Sequence, residues 1–428
     1  MSRPKSSGEA HASSIRRAVI VAAHTHQRSL TELASLLAGL GVEVLTTFVQ
    51  ARDRSSSYLG AGKLREVAAV TGGPGVLLRG PDAPPPPADG DLAVVADDEL
   101  TPAEHRNLSA ALGAPVLDRT EVILQVFETR ARTIEAKLAI ELAWLEHRLP
   151  RVRDDRSLGD REGGGGRAAR GNSNVELAKQ RLRDRIAAVR AELGAIAARE
   201  RPRRDGAFRV TLVGYTNAGK SSLMRALTGA DVLVEDKLFA TLGTTVRALA
   251  PPAAPPVVVA DTVGFLHRLP HALLASFRST LAEAREADLL LLVADASDPE
   301  VRAQLATTSR TLEDVGAGAI PSLVLLNKID RVDAEAREAL TTALPAALPL
   351  SAFRPEDVAA LRSRVAALAK AGHRTATFEV PYDRLGAVAP LREHLDVVEE
   401  RFGEHVTMTV RAREPVLATL AARIRAPD

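Results

Sequence analysis

The chain has 428 residues, enough for about three domains and more than one sizeable core. It contains no cysteine, which excludes a disulfide framework, a thiolate metal site and a cysteine nucleophile. A net charge of +2 says little about partners, and aromatics at 3 % are too few for base-stacking platforms along a single strand, so nucleic-acid contact would rest on phosphates and shape.

Residues 1–15 are small, polar and basic, without the apolar core of a signal peptide, so a disordered tail is expected. No run reaches the roughly 18 apolar residues of a membrane span, and the cytosol is the expected compartment. Residues 16–119 alternate apolar runs with helical patterns. Strands are expected at 17–22, 42–45, 75–78 and 92–95, with helices at 30–40 and 62–70. A further helix at 101–112 carries its own start signal: Thr101 as N-cap, Pro102 in the first turn and Glu104 in the capping-box position. Such alternation predicts a parallel α/β domain.

Residues 120–149 read as one long helix with Ile123, Phe127, Ile134, Leu138, Leu142 and Leu145 on one face. Residues 151–174 are charged, glycine-rich and aperiodic, and a second helix at 175–199 places Leu182, Ile186, Val189, Leu193 and Ile196 on a heptad-like seam. Together they predict a long antiparallel helical hairpin over 120–205 with a basic tip. Between Arg151 and Arg204 there are fifteen Arg or Lys against eight acids, so Arg161, Arg167 and Arg170 are candidate RNA contacts; a solvated linker is the alternative reading of the tip. Residues 206–372 return to strand–helix alternation. Residues 373–428 form a small α+β domain, with strands expected at 376–380 and 406–410 and helices at 384–395 and 415–425.

Gly214-Tyr215-Thr216-Asn217-Ala218-Gly219-Lys220-Ser221 matches the phosphate-binding pattern G-x-x-x-x-G-K-[ST]. It follows an apolar run at 208–213 and precedes Leu223, Met224 and Leu227 at helical spacing, which is the strand–loop–helix context the motif requires. The loop's backbone N–H groups would cradle phosphates, Lys220 would reach the β- and γ-oxygens, and the Ser221 hydroxyl would sit on Mg²⁺. Asp261-Thr262-Val263-Gly264 ends a second apolar run; Asp261 would bind Mg²⁺ through water and the Gly264 N–H would meet the γ-phosphate.

Asn327-Lys328-Ile329-Asp330 ends a third run. The Asp330 carboxylate can accept from guanine N1–H and its N2 amine, a donor pair that adenine lacks. Asn327 would face N7, the Lys328 stem would lie over the ring, and Ser351-Ala352 at a further strand end would bring a backbone N–H to O6. A threonine between 238 and 245 should complete the Mg²⁺ shell in the triphosphate state, making that segment a switch. Phe265 stands where many guanosine triphosphatases carry a water-orienting Gln, so slow intrinsic hydrolysis is expected. Asn217 either helps to bind a monovalent cation such as K⁺ or structures the loop.

These motifs resemble those of the HflX-type GTPases: residues 214–221, Leu-Phe-Ala-Thr-Leu at 238–242, Asp-Thr-Val-Gly-Phe at 261–265 and 327–330. The resemblance extends to Tyr-Leu-Gly-Ala-Gly-Lys at 58–63, Asp-Arg-Thr at 118–120, Arg130-Ala131, Glu-Ala-Lys-Leu at 135–138 and Glu-Leu-Ala at 141–143. It implies an N-terminal α/β domain with a helical hairpin, a Ras-like G domain and a small C-terminal domain. It also implies a Mg²⁺-dependent GTP-binding and GTP-hydrolysing switch that associates with the large (50S) ribosomal subunit and splits or rescues stalled or idle ribosomes. By motif, Ser221 and Thr241 would hold Mg²⁺, and Phe239, Ala240, Thr241, Leu242 and Gly243 would line the nucleotide; the hairpin loop would reach ribosomal RNA. Some members bind ATP through the N-terminal domain, but no second phosphate loop occurs here. A monomer is expected.

The chain departs from the family pattern at Gly243-Thr-Thr-Val-Arg247, at Gly171-Asn-Ser-Asn174 and in the thinned arginines that open the second hairpin helix. A GTP-regulated adaptor for a protein partner is the rival reading. An RNA-remodelling ATPase is disfavoured by the guanine-reading tetrad.

Overall fold

The computed structural model describes residues 15–51, 54, 57–77, 91–131, 133–154, 167–199, 207–229, 245–253, 255–262, 264 and 284–425. They fall into two compact bodies that part between Ala198 and Arg199.

The first body opens with β1 Arg17–Ala22, α1 Gln27–Gly39, β2 Glu43–Val49, α2 Ala61–Thr71 and β3 Leu92–Ala96. It continues with α3 Pro102–Leu112 and β4 Val116–Asp118. The four strands form a parallel sheet in the order β2-β1-β3-β4. The central strands β1 and β3 are almost wholly buried, as parallel strands covered on both faces must be, which is why they read as unbroken apolar runs. The capping box at Thr101 forms as expected, with Glu104 in reciprocal contact and Pro102 in the first turn. The strand expected at 75–78 does not form over 75–77, where Gly75 takes φ +69° and turns the chain.

The single helix expected at 120–149 is two, α4 Arg119–Arg130 and α5 Ile134–Arg148. Thr133 accepts a hydrogen bond from the Ala136 N–H, so an N-cap interrupts an otherwise continuous apolar stripe. The next helix, α6 Arg167–Arg199, begins in the segment expected to be loop. Gly171 and Asn172-Ser173-Asn174 are weak helix formers, but the Arg-Ala-Ala-Arg stretch before them carries the helix through. The heptad seam is present: Leu138 and Leu142 of α5 pack with Ile186 and Val189 of α6. Ion pairs Arg185–Glu141 (2.7 Å) and Arg190–Glu146 (2.8 Å) flank it. The glycine run at 163–166 lies outside the described residues.

The second body is built on a six-stranded sheet in the order β10-β9-β8-β5-β7-β6. Its strands are β5 Phe208–Gly214, β6 Thr245–Ala248, β7 Val257–Asp261, β8 Leu289–Asp295, β9 Ser322–Asn327 and β10 Leu348–Pro349. All pairings are parallel except β6 with β7. The helices α7 Lys220–Thr228, α8 Val301–Asp314, α9 Ala334–Ala343 and α10 Pro355–Ala371 follow β5, β8, β9 and β10. Leu212, Leu223, Leu227, Leu291 and Leu361 anchor this core. The strand order reverses around β5: the chain runs from β5 out to β6 at the edge, back to β7 beside β5, and then crosses to β8 on its other side. Open α/β sheets bind ligands beyond the carboxyl ends of strands at such a switch point.

A three-stranded antiparallel sheet follows, ordered β11-β13-β12, from β11 Arg374–Val380, β12 Asp396–Phe402 and β13 Val406–Ala412. Its core of Val380, Met408, Val410 and Leu420 is covered by the one-turn α11 Leu385–Val388 and by α12 Glu414–Arg425. The helix expected at 384–395 is reduced to short turns because Gly386 and Pro390 fall inside it. Arg413 ties this sheet to the larger one: its guanidinium donates to both Asp288 carboxylate oxygens at 3.0 and 2.6 Å.

Candidate nucleotide-binding site

The carboxyl ends of β5, β7, β8 and β9 bring together Gly214, Asp261, Asp295 and Asn327. From β5 the chain turns through residues 215–219 into α7. Gly219 sits at φ +92°, and a Cβ there would collide with the Asn327 side-chain amide, so the last loop residue must be glycine for the loop to seat against β9. Lys220 opens the helix and its side chain is buried; Nζ donates to the Gly214 and Tyr215 carbonyls at 3.0 and 2.7 Å. Burial lowers its pKa to about 8, with the nearby Asp261 charge opposing that shift.

Ser221 Oγ donates to Asp261 Oδ2 at 3.0 Å. Asp261 is fully buried at the end of β7, and Thr262 beside it donates to the Leu212 carbonyl at 2.7 Å, locking this turn onto β5. Gly264 lies against the phosphate loop: a Cβ there would come within 2.8 Å of Thr216 Cγ2 and 2.9 Å of Lys220 Nζ. A hydroxyl and a carboxylate held together beside a buried ammonium are hard oxygen donors of the kind Mg²⁺ takes, with phosphate and water filling the rest of its shell. Ser221 and Asp261 therefore fit the expected metal.

Asn327 joins the loop after β5 to the loop after β10. Its Nδ2 donates to the Ala218 carbonyl at 2.8 Å and its Oδ1 accepts from the Ala352 N–H at 3.1 Å. Sequence reasoning had directed Asn327 and Ala352 to guanine N7 and O6; the structure ties the two to each other. Lys328 is held at φ +60° by an ion pair with Asp295 (2.8 Å) and donates to Asn217 Oδ1 at 3.4 Å. Asn217, itself at φ +60°, thus has a protein cation at its side-chain oxygen.

Ile329 is buried and its N–H donates to the Leu350 carbonyl at 3.3 Å, bringing together the loops that follow β9 and β10. A hydrogen bond from Ser351 holds the exposed Asp330 carboxyl below the usual carboxylate range. Asp295 was missed from sequence; its signal is a lone acid ending the apolar run of β8. Phe239, Ala240, Thr241, Leu242, Gly243, Val263 and Phe265, with Arg161 of the basic tip, lie outside the described residues. Arg167 and Arg170 fall in the first turns of α6, in the other body.

No helix among the described residues is long and apolar enough to cross a membrane.

Three family models match the chain in succession: a GTP-binding GTPase N-terminal region over residues 27–128, a GTP-binding GTPase middle region over 130–206, and a 50S ribosome-binding GTPase over 209–328. A GTPase HflX from Gluconacetobacter diazotrophicus is 46 % identical over 406 residues, 89 % of each chain. A GTPase HflX from Alkalihalophilus pseudofirmus is 38 % identical over 347 residues, 79 % of this chain and 78 % of the relative. A crystal structure of a GTP-binding protein from the archaeon Sulfolobus solfataricus in complex with GDP superposes with a TM-score of 0.42 at 24 % identity, covering 83 % of this chain and 99 % of that one. The succession of three matched regions and the near full-length identity settle the lineage: the chain belongs to the HflX family of GTPases.

Proposed function

We propose that this GTPase holds GTP–Mg²⁺ at the carboxyl edge of the six-stranded sheet and, in that state, docks on the large ribosomal subunit. GTP turnover and a ribosomal partner come with the family; splitting or rescue of the ribosome, Mg²⁺ dependence and the residue roles are our reading. The observation that carries the site is Asn327, whose single side chain spans the phosphate loop at Ala218 and the base loop at Ala352. One nucleotide is thereby read at both ends by a rigid unit.

In this reading the residues at 214–221 wrap the phosphates, and Lys220 moves from the Gly214 and Tyr215 carbonyls to phosphate oxygens, regaining full charge. Asp330 accepts from the guanine edge, and its depressed pKa keeps it an acceptor at any physiological pH. Bound Mg²⁺ would supply charge neutralisation of the β- and γ-phosphates, held through Ser221, Asp261 and Thr241. Gly264 senses the γ-phosphate because it already lies on Thr216 and Lys220. With Phe265 in place of a water-orienting Gln, intrinsic hydrolysis is slow and a partner accelerates it. Phe239 to Gly243 act as the switch.

The basic segment with Arg161, Arg167 and Arg170 contacts ribosomal RNA through phosphates, and the protein acts as a cytosolic monomer. The working domain limits are 16–119, 120–205, 206–372 and 373–428.

Co-sedimentation with 50S subunits tests this function, comparing a non-hydrolysable GTP analogue with GDP. Association in the triphosphate state alone is expected. Equal recovery with both nucleotides, or none with either, would sink the ribosomal switch and leave the adaptor reading in its place.

A further inference from the structure

One carboxylate ties together separate elements of the first body. Asp118 ends β4 and caps α4, and its two oxygens have different partners. Oδ1 accepts from the Glu121 N–H at 2.9 Å and starts the helix. Oδ2 accepts from groups that arrive from elsewhere: the Leu100 N–H at 3.3 Å, from the loop after β3, and His147 Nε2 at 3.1 Å, from the last turn of α5. Arg151 Nη2 reaches the same oxygen at 2.7 Å from the turn at 149–154. Its guanidinium closes the cluster by donating also to the Leu100 carbonyl at 2.6 Å and the His147 carbonyl at 2.8 Å.

Stability alone does not explain such a cluster. Replacing buried ions with apolar side chains is often neutral or stabilising, whereas fixing one register among several is their best-attested use. The neighbouring packing leaves a register to fix. The stripe of α5 that continues from His147 is Ala143, Ile140, Ala139 and Ala136, all buried, and α5 packs on α4. Alanines make a shallow contact surface with few ridges, over which a helix can roll or slide with little resistance. Directional bonds supply the angle instead: a planar guanidinium with fixed donors meets two carbonyls and a carboxylate in one pose. Helix α6 is joined to α5 through Leu138, Leu142, Ile186 and Val189, so it follows the angle that α5 takes. It has 33 residues and is about 50 Å long. A tilt of about 10° displaces one end against the other by about 9 Å.

We infer that Asp118, His147 and Arg151 are positioning residues: they set the angle of α5 and α6 on the four-stranded sheet and thereby bring the start of α6, with Arg167 and Arg170, to ribosomal RNA. The delivery to RNA rests on the ribosomal reading above; the setting of the angle does not.

The test uses the full chain, which has no cysteine of its own. Ala69→Cys on α2 and Ala188→Cys on α6, both exposed, take nitroxide labels, and pulsed dipolar electron paramagnetic resonance reads the distance between them. A single narrow distance is expected in the otherwise unmodified protein. Asp118→Asn keeps an oxygen for the cap but turns an amide N–H toward two cations and the Leu100 N–H. The distance should then broaden or shift by about 4 Å, which a tilt near 10° gives halfway along α6. Arg151→Lys keeps the charge without the fork and should fall between the two; it carries the test if Asp118→Asn does not fold.

Affinity for 50S subunits with a non-hydrolysable GTP analogue should fall with the fraction of molecules that hold the competent angle, about tenfold where one in ten does, while GTP affinity is unchanged. An unaltered distance in both variants, with only a lower urea midpoint, makes the cluster a plain structural ion group and overturns the inference. A broadened distance with undiminished 50S affinity overturns the delivery to RNA. If the unmodified protein shows no nucleotide-dependent 50S association while the variants broaden the distance, the ribosomal reading fails and the setting of the angle stands.

Discussion

Two sheets in this chain, one wholly and one mostly parallel, end in polar edges, and they solve the problem of a polar strand end in opposite ways. At the carboxyl edge of the four-stranded sheet, charged side chains interlock with one another. Arg119 donates to Asp97 Oδ1 at 2.6 Å and to Glu32 at 2.8 Å, and His24 Nε2 lies 3.2 Å from Asp97 Oδ2. Tyr58 accepts from the Ala23 N–H and donates to Asp98 at 2.8 Å. Asp118 accepts from His147 and Arg151 at 3.1 and 2.7 Å. Burial works against the Asp118 carboxylate, yet the hydrogen bond from His147, the Arg151 guanidinium and a backbone N–H hold its pKa below the usual range.

At the edge of the six-stranded sheet the buried ammonium of Lys220 is instead held by two backbone carbonyls and its pKa is lowered by burial, while the buried Asp261 carboxylate accepts from the Ser221 hydroxyl. Buried ions that satisfy one another hold a fold together. A buried ion that pays a desolvation penalty has that cost returned when a ligand of opposite charge arrives. The carboxyl ends of parallel strands thus carry a structural lock in one body and, in our proposal, a binding edge in the other.

The comparison breaks first at the lysine. Lys220→Met should reduce GTP affinity more than about 100-fold, since it removes the only side-chain cation of the phosphate loop. It should also leave the urea midpoint of the protein unchanged or raised, because a desolvated ammonium is replaced by an apolar chain of similar length. A clear loss of stability would show that Lys220 is a structural ion after all. Arg119→Met is the mirror experiment. It strands Asp97 and Glu32 without their cation, so destabilisation of about 3–5 kcal/mol is expected, with GTP affinity per folded molecule unaltered. Denaturant unfolding and nucleotide titration on the same samples separate the two outcomes.

Asn327→Ala sits between these extremes. It removes a buried side chain bonded to both the phosphate loop and the base loop, a loss worth about 1–3 kcal/mol. That corresponds to roughly 5- to 150-fold in affinity for GDP and GTP alike. If only triphosphate binding suffers, Asn327 is not the tie between the two ends of the nucleotide.

What was legible in the sequence follows the same division. The geometry of the edge around Lys220 was readable because it is made by short motifs whose chemistry is local: a glycine that takes φ +92°, a lysine after it, an aspartate closing a strand. The interlocked edge was not, because Arg119 meets Ser29 and Glu32 almost ninety positions away, and no spacing rule links them. Capping behaved similarly. Thr101 with Pro102 and Glu104 announced a helix start, whereas Thr133 lay within a continuous apolar stripe and its cap outweighed the periodicity.

Strand β12 was hidden for a third reason. It is an edge strand with a bulge between Val397 and Glu399, and the polar run Glu399-Glu400-Arg401 lacks the alternation of a half-buried strand. Asn327 shows the limit on the site itself: the motif located the residue, but its bonds to Ala218 and Ala352 depend on how two distant loops close on one another.

The smallest expected effect is also the most specific to the lysine. With a pKa near 8 in the folded protein against about 10.4 for a free side chain, Lys220 binds fewer protons folded than unfolded across pH 8 to 10. Its contribution to stability is therefore fully favourable above the unfolded value and is lost as pH falls through the folded one. Stability of the nucleotide-free protein should rise as pH climbs from 8 to 10, and Lys220→Met should lack that component. Nucleotide binding carries the opposite sign. Phosphate restores the charged form, so binding takes up a proton in this window, and GTP affinity should be constant below about pH 8 and decline above it. Calorimetry in two buffers of different ionisation enthalpy at pH 9 measures the proton directly. Uptake approaching one proton in the wild type and none in Lys220→Met is the expected pair of results. Equal uptake in both would place the titrating group elsewhere in the site and remove the lysine from its side of the comparison.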